Sequence, residues 1–269
     1  MTLPIVHICA IAKNEGRYIR EWVIMHQIVG VSHFTIYDNG SEDDTASILS
    51  EFPCVDVIPW SMPKPAQMEA YQHYIDRHHE PAWTMFLDCD EFLFSPSHKT
   101  IPEALAAILS SGVSRSAIGV NWIMFGASGY LTYSPEPIIE RFTHHLSPEN
   151  PVNTHIKSLI WMGQEVKLGR DPHYFHPVGG TFNELGERLY GPLSPSHTST
   201  FLRVNHYHTK SKEEWDRRIA LGKPDRADND QVTNPAAFNG YQAKDGEATG
   251  PDSIWRFLPQ LKEKLSGQR

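Results

Sequence analysis

The stretch WTMFLDCDEFLF, residues 83–94, sets Asp88, Asp90 and Glu91 between two apolar runs. A short apolar run bounded by polar residues fits a strand buried on both faces, as a parallel sheet requires. Three carboxylates at the end of such a strand need an explanation, because burying an unpaired charge is costly. The flanking sequence supplies one.

Upstream, PIVHICAIA (4–12) is a second compact apolar run. In the following NEGRYIREWVIMHQIVG, Tyr18, Ile19, Trp22, Val23, His26 and Val29 recur at helical spacing until Gly30 stops the pattern. HFTIYD (33–38) predicts a strand, and Ser41 with Asp44 three positions on predicts a helix start before TASILSEF. VDVIPW (55–60) predicts a strand and PAQMEAYQHYIDRHH (65–79) a helix, which leads into the strand at 83–88. Downstream, Thr100 and Glu103 form a capping box for EALAAILSSG, and SAIGVNWIMF supplies a fifth apolar run. Strands alternating with helices at this rhythm predict an α/β fold built on a doubly wound, mostly parallel sheet.

From about residue 126 the rhythm breaks. SPEPIIERFTHH and DPHYFHPVGG predict irregular or antiparallel structure laid over the sheet. Ser211 and Glu214 read as another capping box, and the pairs Glu213/Arg217 and Glu214/Arg218 predict a solvated helix. Residues 223–252 have little to bury and read as a loop, and IWRFLPQLKEKL reads as an amphipathic helix docking back on the core. The alternative for that helix is peripheral association with a membrane surface. The expected organisation is one domain over 1–222, with 223–269 as a loop and helix packed on it.

The chain has 269 residues, 40% apolar, and a formal net charge of −8 without a Lys/Arg cluster, which argues against general nucleic-acid binding. Its apolar runs are short of the roughly 18 residues of a membrane span, and the N-terminal residues lack the pattern of a signal peptide. Cys9, Cys54 and Cys89 lie in apolar segments without metal-like spacing, and an odd number argues against a disulfide framework. A reducing, cytoplasmic setting, extending to the inner face of a membrane, is the expectation.

In open α/β sheets, ligands sit beyond the carboxyl ends of the strands. The first strand runs into Lys13, Asn14 and Glu15, the second into Asp38, Asn39 and Ser41, and the fourth into Asp88, Asp90 and Glu91. Three polar clusters therefore share one rim. Two Asp one residue apart can offer oxygens to one Mg²⁺ or Mn²⁺, and an acidic turn or helix cap is the other reading. The EF-hand pattern is broken by Phe92, and neither G-x-G-x-x-G nor a P-loop is present. FGASGY (125–130) is not a nucleophile elbow. An anionic ligand on this rim would then need a local cation. His206 and His208 form an H-x-H that suits a metal or, as often, an ordinary hydrogen-bonded pair.

These motifs together resemble glycosyltransferase family 92, within the GT-A class that includes family 2. The resemblance rests on KNEGRYIREWVIMHQIVGVSHFTIYDNGSEDDT (13–45), Gln67 ahead of AYQHY, FLDCDEFLF (86–94), NWIMFGASG (121–129), THIKSLI (154–160), His176 and NHYHTKSKEEWDRRIALG (205–222). It implies a GT-A fold, Rossmann-like with an irregular C-terminal region. It implies transfer of a sugar from a nucleotide-sugar donor with inversion, UDP-galactose being the leading donor, to a glycan, polysaccharide or glycolipid acceptor. It further implies Mn²⁺ or Mg²⁺ held by Asp88, Asp90 and His206, and a donor site that includes Ala12, Asn14, Glu15, Asp38, Gln67 and Asp88.

A metal bridging the two phosphates would stabilise the leaving group, and a general base must deprotonate the acceptor hydroxyl. Asp171 and Glu184 lie in the stretch where inverting GT-A enzymes carry that base; Asp171 is the choice, its alternative being the first position of a turn. Trp122 and Phe125 are candidates for stacking against an acceptor sugar or for core packing. Two other functions compete: a metal-dependent phosphohydrolase or nucleotidyltransferase, and a noncatalytic carbohydrate-binding protein.

Overall fold

The computed structural model describes residues 2–63, 66–110, 115–221 and 252–267. Strand β1 (Val6–Ala12) leads to helix α1 (Ile19–Ile28), and β2 (His33–Asp38) to the short α2 (Thr45–Leu49). β3 (Val55–Pro59), α3 (Ala66–Ile75), β4 (Trp83–Phe86), β5 (Glu91–Phe94), α4 (Ile101–Leu109) and β6 (Ala117–Met124) follow. β1 pairs in parallel with both β2 and β4, and β2 with β3. The order β3-β2-β1-β4 is that of a doubly wound half, as the alternation predicts. Along β1, Ile8 and Ala10 join one core and Cys9 and Ile11 the other, so helices cover both faces. Cys9, Cys54 and Cys89 are all free.

The later segments enter the sheet instead of lying over it. After α5 (Ile138–Arg141), β7 (Ile156–Trp161) inserts antiparallel between β4 and β6. β8 (Val166–Leu168) and β9 (Phe175–Pro177) form a separate hairpin, whereas β10 (Thr181–Phe182) and β11 (Arg188–Leu189) extend the sheet beyond β6. β12 (Arg203–His206) pairs antiparallel with β5 and parallel with β6, which brings a late strand against the residues that follow Asp88 and Asp90.

The Thr100/Glu103 capping box forms as expected, with Pro102 in the first turn. Ser211 and Glu214 likewise cap α6 (Lys212–Leu221). Ser41 does not cap α2: its hydroxyl accepts the Asn14 N–H at 3.0 Å, and the residue preceding the helix, Asp44, makes no side-chain cap. On α6 the expected pairs Glu213/Arg217 and Glu214/Arg218 are replaced by longer-range ones, although Lys212 and Asp216 make an exposed i,i+4 pair. Glu213 pairs with Arg17, Glu214 approaches Arg141 at 3.7 Å, and Arg218 reaches Asp90.

Residues Ser253–Phe257 form a 3₁₀ turn that runs into α7 (Leu258–Ser266). Ile254, Phe257 and Leu261 are buried in the main core, against α1, at roughly 1.5–3 kcal/mol of apolar burial each. Trp255 Nε1 donates to the Ile139 carbonyl, tying the same turn to α5. The amphipathic segment packs on the core through these side chains. Most of the 223–252 loop expectation lies outside the described residues. No described helix is long and apolar enough to cross a membrane.

Candidate active site

Beyond the carboxyl ends of β1, β2 and β4 opens a cleft of about 730 Å³, closed on its far side by residues of β6, the β8–β9 connection and the start of α6. Its near wall begins with the β1 loop. Asn14 takes a left-handed conformation (φ 57°), which asparagine tolerates better than most residues. The Asn14, Glu15 and Gly16 N–H groups donate to Ser41, Thr45 and Asp43, so the loops after β1 and β2 are zipped together. A Cβ at position 16 would meet Asp44 Oδ1 at 1.8 Å, so glycine is what lets the two loops close. Ala12, Asn14, Glu15 and Gln67 line the cleft. Asp38 does not: its carboxylate accepts the Ser41 N–H at 3.2 Å, and the next residue, Asn39, takes the lining position.

At the floor, the acid run sits in a lattice of charges. Gln67 donates to one oxygen of Asp88 at 2.7 Å and Lys157 to the other at 2.8 Å. Lys157, fully buried on β7, also lies 3.0 Å from Glu91 Oε2, which in addition accepts the Asp88 N–H. Burial alone would raise Asp88, but Lys157 outweighs it and holds the carboxyl below the usual range. For Glu91 burial wins over Lys157, and its carboxyl is pushed up to about 7. Asp90 is buried too, yet Arg218 and then His206 keep it well below an ordinary aspartate. Arg218 pairs with Asp90 Oδ2, and Lys210 stands 3.9 Å from Glu15.

One edge of the lattice is unfinished. Asp90 Oδ1 and His206 Nε2 face each other at 3.4 Å, Glu91 Oε1 and His206 Nδ1 at 3.6 Å, and all four atoms are buried without a hydrogen bond. Buried polar atoms are rarely left so. Asp90 and His206 line the cleft, so this gap opens toward it. Among the described residues no three His, Cys, Asp or Glu side chains form a complete metal cage. Asp90 and His206 suit a hard cation that takes its remaining oxygens from a ligand and water. Asp88, expected as a third ligand, has both oxygens engaged by Gln67 and Lys157.

The opposite wall is built differently. Trp122 is buried, donates its Nε1 to the Val152 carbonyl, stacks on His155 (4.9 Å, 11°) and meets His173 and His206 edge-on. One face of Trp122 is thus stacked on His155, and His155 and His173 bring polar atoms to the same part of the cleft. Phe125 packs with Tyr207 and His145 in the core and is not part of the wall. Asp171 is not part of it either. Its carboxylate accepts the N–H of His173 at 2.8 Å, forming the turn that was its alternative reading, and Pro172 and His173 line the cleft instead. Glu184 accepts three successive backbone N–H groups, of Thr200, Phe201 and Leu202, and is structural. His176 is exposed on β9.

Lys157, Arg218 and His173 are what sequence reasoning missed. The signal for the first was present, since a lysine inside the apolar run IKSLIW needs buried partners.

A protein-family model described as Glycosyltransferase family 92 matches residues 8–160, more than half of the chain. Family 92 proteins of Ricinus communis and Oryza sativa subsp. japonica are each 33% identical, over 131 and 102 residues. Those stretches cover 45% and 36% of this chain but 23% and 18% of the relatives, so the chain matches roughly a quarter or less of their length. Among solved structures, Staphylococcus aureus TarS aligns with a TM-score of 0.37 at 11% identity, over 59% of this chain and 28% of that one. Glucosyl-3-phosphoglycerate synthase from Mycobacterium tuberculosis aligns at 0.33 and 18%, over 44% of each chain. The fold assignment rests on the strand order described above, and by the extent of the family match the chain belongs to glycosyltransferase family 92.

Proposed function

We propose that this chain is a metal-dependent, inverting glycosyltransferase that moves a hexose, galactose from UDP-galactose in the first instance, to a glycan, polysaccharide or glycolipid hydroxyl. The single observation that supports the metal and donor reading is the unfinished lattice at Asp90 and His206, whose unpaired atoms a cation would satisfy, with its remaining oxygens drawn from a ligand and water. Mn²⁺ or Mg²⁺ bound there would neutralise charge growing on a departing diphosphate.

The chain's own residues account for the rest. Gln67 and Lys157 hold Asp88 rigidly at the floor, which fixes the peptide that carries Asp90. Lys210 and Arg218 stand where they can exchange their carboxylate partners for phosphate oxygens. The zipped β1 and β2 loops give the nucleoside a preformed wall of Ala12, Asn14, Glu15 and Asn39.

A thermal-unfolding series with UDP and UDP-galactose, each with and without Mn²⁺, tests the reading, because a ligand that binds only the folded state raises its melting temperature. The wild type should show a shift that requires both Mn²⁺ and nucleotide, and Asp90→Asn should lose it. A nucleotide shift that is the same in EDTA, or undiminished in Asp90→Asn, would reject the metal role. Release of inorganic phosphate in place of UDP would point to a hydrolase.

A further inference from the structure

On the reading that this cleft transfers a sugar, we propose that His173 takes the proton of the acceptor hydroxyl, and that Asp171 is the positioning residue that presents it. The carboxylates lining the cleft are already committed: Asp88 to Lys157 and Gln67, Asp90 to Arg218, Glu15 to Lys210, and Glu214 to the Ser211 helix start. They stand on the loops after β1 and β4 and on α6. Of the histidines lining the cleft, His206 faces Asp90 and Glu91, His208 packs against His206 and Trp215, and His155 and His173 stand beside Trp122 as further proton acceptors.

The geometry of His173 is over-determined. Its N–H donates to Asp171 Oδ1 and its carbonyl accepts from Ser158 Oγ, both at 2.8 Å, so the backbone is held on both sides of the ring. Its Nδ1 lies 3.3 Å from the Ile156 carbonyl. A carbonyl only accepts, so Nδ1 carries the ring proton and Nε2 keeps its lone pair. Among the described residues, no hydrogen bond is made to that Nε2. Burial and then Lys157 push the resting ring down to about 3, which keeps it neutral but weakens it as a base, and it is the Asp88 charge, acting the other way, that would favour the imidazolium formed in the step. His155 shares the Nδ1-to-carbonyl arrangement, but its ring lies flat on Trp122, and the charge of Asp88 couples to His173.

In the step so assigned, the acceptor O–H bond breaks and its proton passes to His173 Nε2. The oxygen's electron pair forms the new bond to the anomeric carbon. The bond from that carbon to the diphosphate oxygen breaks, and its electron pair leaves with the nucleoside diphosphate. The imidazolium then returns its proton to solvent.

The test measures UDP release from UDP-galactose with Mn²⁺, water serving as acceptor, alongside UDP binding by calorimetry. His173→Ala should lose about 100-fold or more in turnover, keep UDP affinity within about threefold, and recover part of its rate with added imidazole. Turnover within about threefold of the wild type would overturn the assignment. A long-range ¹H–¹⁵N spectrum of the wild type gives a second readout, independent of activity, with the His173 signal identified by its absence in the variant. A proton on Nδ1 is expected, and one on Nε2 would overturn the assignment equally. A wild type that binds no UDP brings down the transferase reading and this proposal with it, and the binding measurement shows which has failed.

Discussion

Asp88, Asp90 and Glu15 each pair with a cation, whereas His155 and His173 each turn one ring nitrogen to a backbone carbonyl. The first wall is a lattice in which every acid is matched, apart from the gap at His206. It can trade partners with an anionic ligand without exposing bare charge. The histidine wall carries no carboxylate of its own, and the Nε2 lone pair left on His173 suits a hydroxyl group. The difference teaches that burial by itself does not mark a functional residue; what is left unpaired after burial does. His26 makes the same point from the core. Its ring is also pushed to about 3 by burial, but Nδ1 donates to the Trp22 carbonyl and Nε2 accepts the Leu93 N–H, so nothing is left over.

The largest expected effect tests the charged wall. Lys157→Met leaves the fully buried Glu91 without its cation, beside an Asp88 whose side chain is 35% exposed, and should cost about 3–5 kcal/mol in urea-induced unfolding. Arg218→Met removes a cation whose own side chain is 34% exposed from an Asp90 that is 6% exposed, and should cost less, about 1–3 kcal/mol. Equal losses would mean the lattice has no buried centre, and the contrast between its floor and its mouth would fail.

The second effect separates the walls by pH. The unfolded His173 ring takes up a proton below 6.5, but the folded ring resists until about 3. Stability from the neutral ring is therefore complete above 6.5 and falls by about 1.4 kcal/mol per pH unit below it, or about 2 kcal/mol by pH 5. Asp88 and Asp90 are held below 3.8 and contribute no slope in this window. Glu91, raised to about 7, acts in the opposite sense, gaining a proton in the folded state first as pH falls. Comparing His173→Gln with the wild type cancels Glu91 and His26, so the variant should lose less stability between pH 7.5 and 5. Parallel pH curves for the two proteins would show that the ring takes up its proton in the fold as readily as in the unfolded chain.

How far the sequence carried these conclusions depends on the range of the interactions. Apolar runs and their helical or strand periods are local, and they announced β1 to β4, α1 and the rim of strand ends. The capping boxes at Thr100 and Ser211 are local as well, and both formed. Ser41 looked the same over four residues but is used 27 residues away, by Asn14. Arg218 is the stronger case: its i,i+4 partner by sequence is Glu214, yet it reaches Asp90 across 128 residues because β12 lies on β5 and delivers α6 to the floor. β7 was concealed for the opposite reason. Its alternation is interrupted by Lys157 and Ser158, and those are the side chains that serve the site, one holding Asp88 and the other holding His173.

The smallest effect bears on the neutral wall and decides between two jobs for one carboxylate. If Asp171 only closes the turn that presents His173, then Asp171→Asn keeps an oxygen for the His173 N–H and should change unfolding by about 0.5 kcal/mol or less. Donor turnover, followed as UDP release, should stay within about threefold, because an amide oxygen accepts that bond much as a carboxylate does. Asp171→Ala removes the acceptor, lets the turn relax and should lower turnover further while leaving UDP affinity intact. A base, by contrast, cannot be replaced by an amide, and its loss costs about 100-fold or more whichever substitution is made. The ratio of the Asn to the Ala variant is thus the sensitive quantity: well above one, it leaves the proton to the histidine; near one, with both variants dead, it returns the proton to the carboxylate.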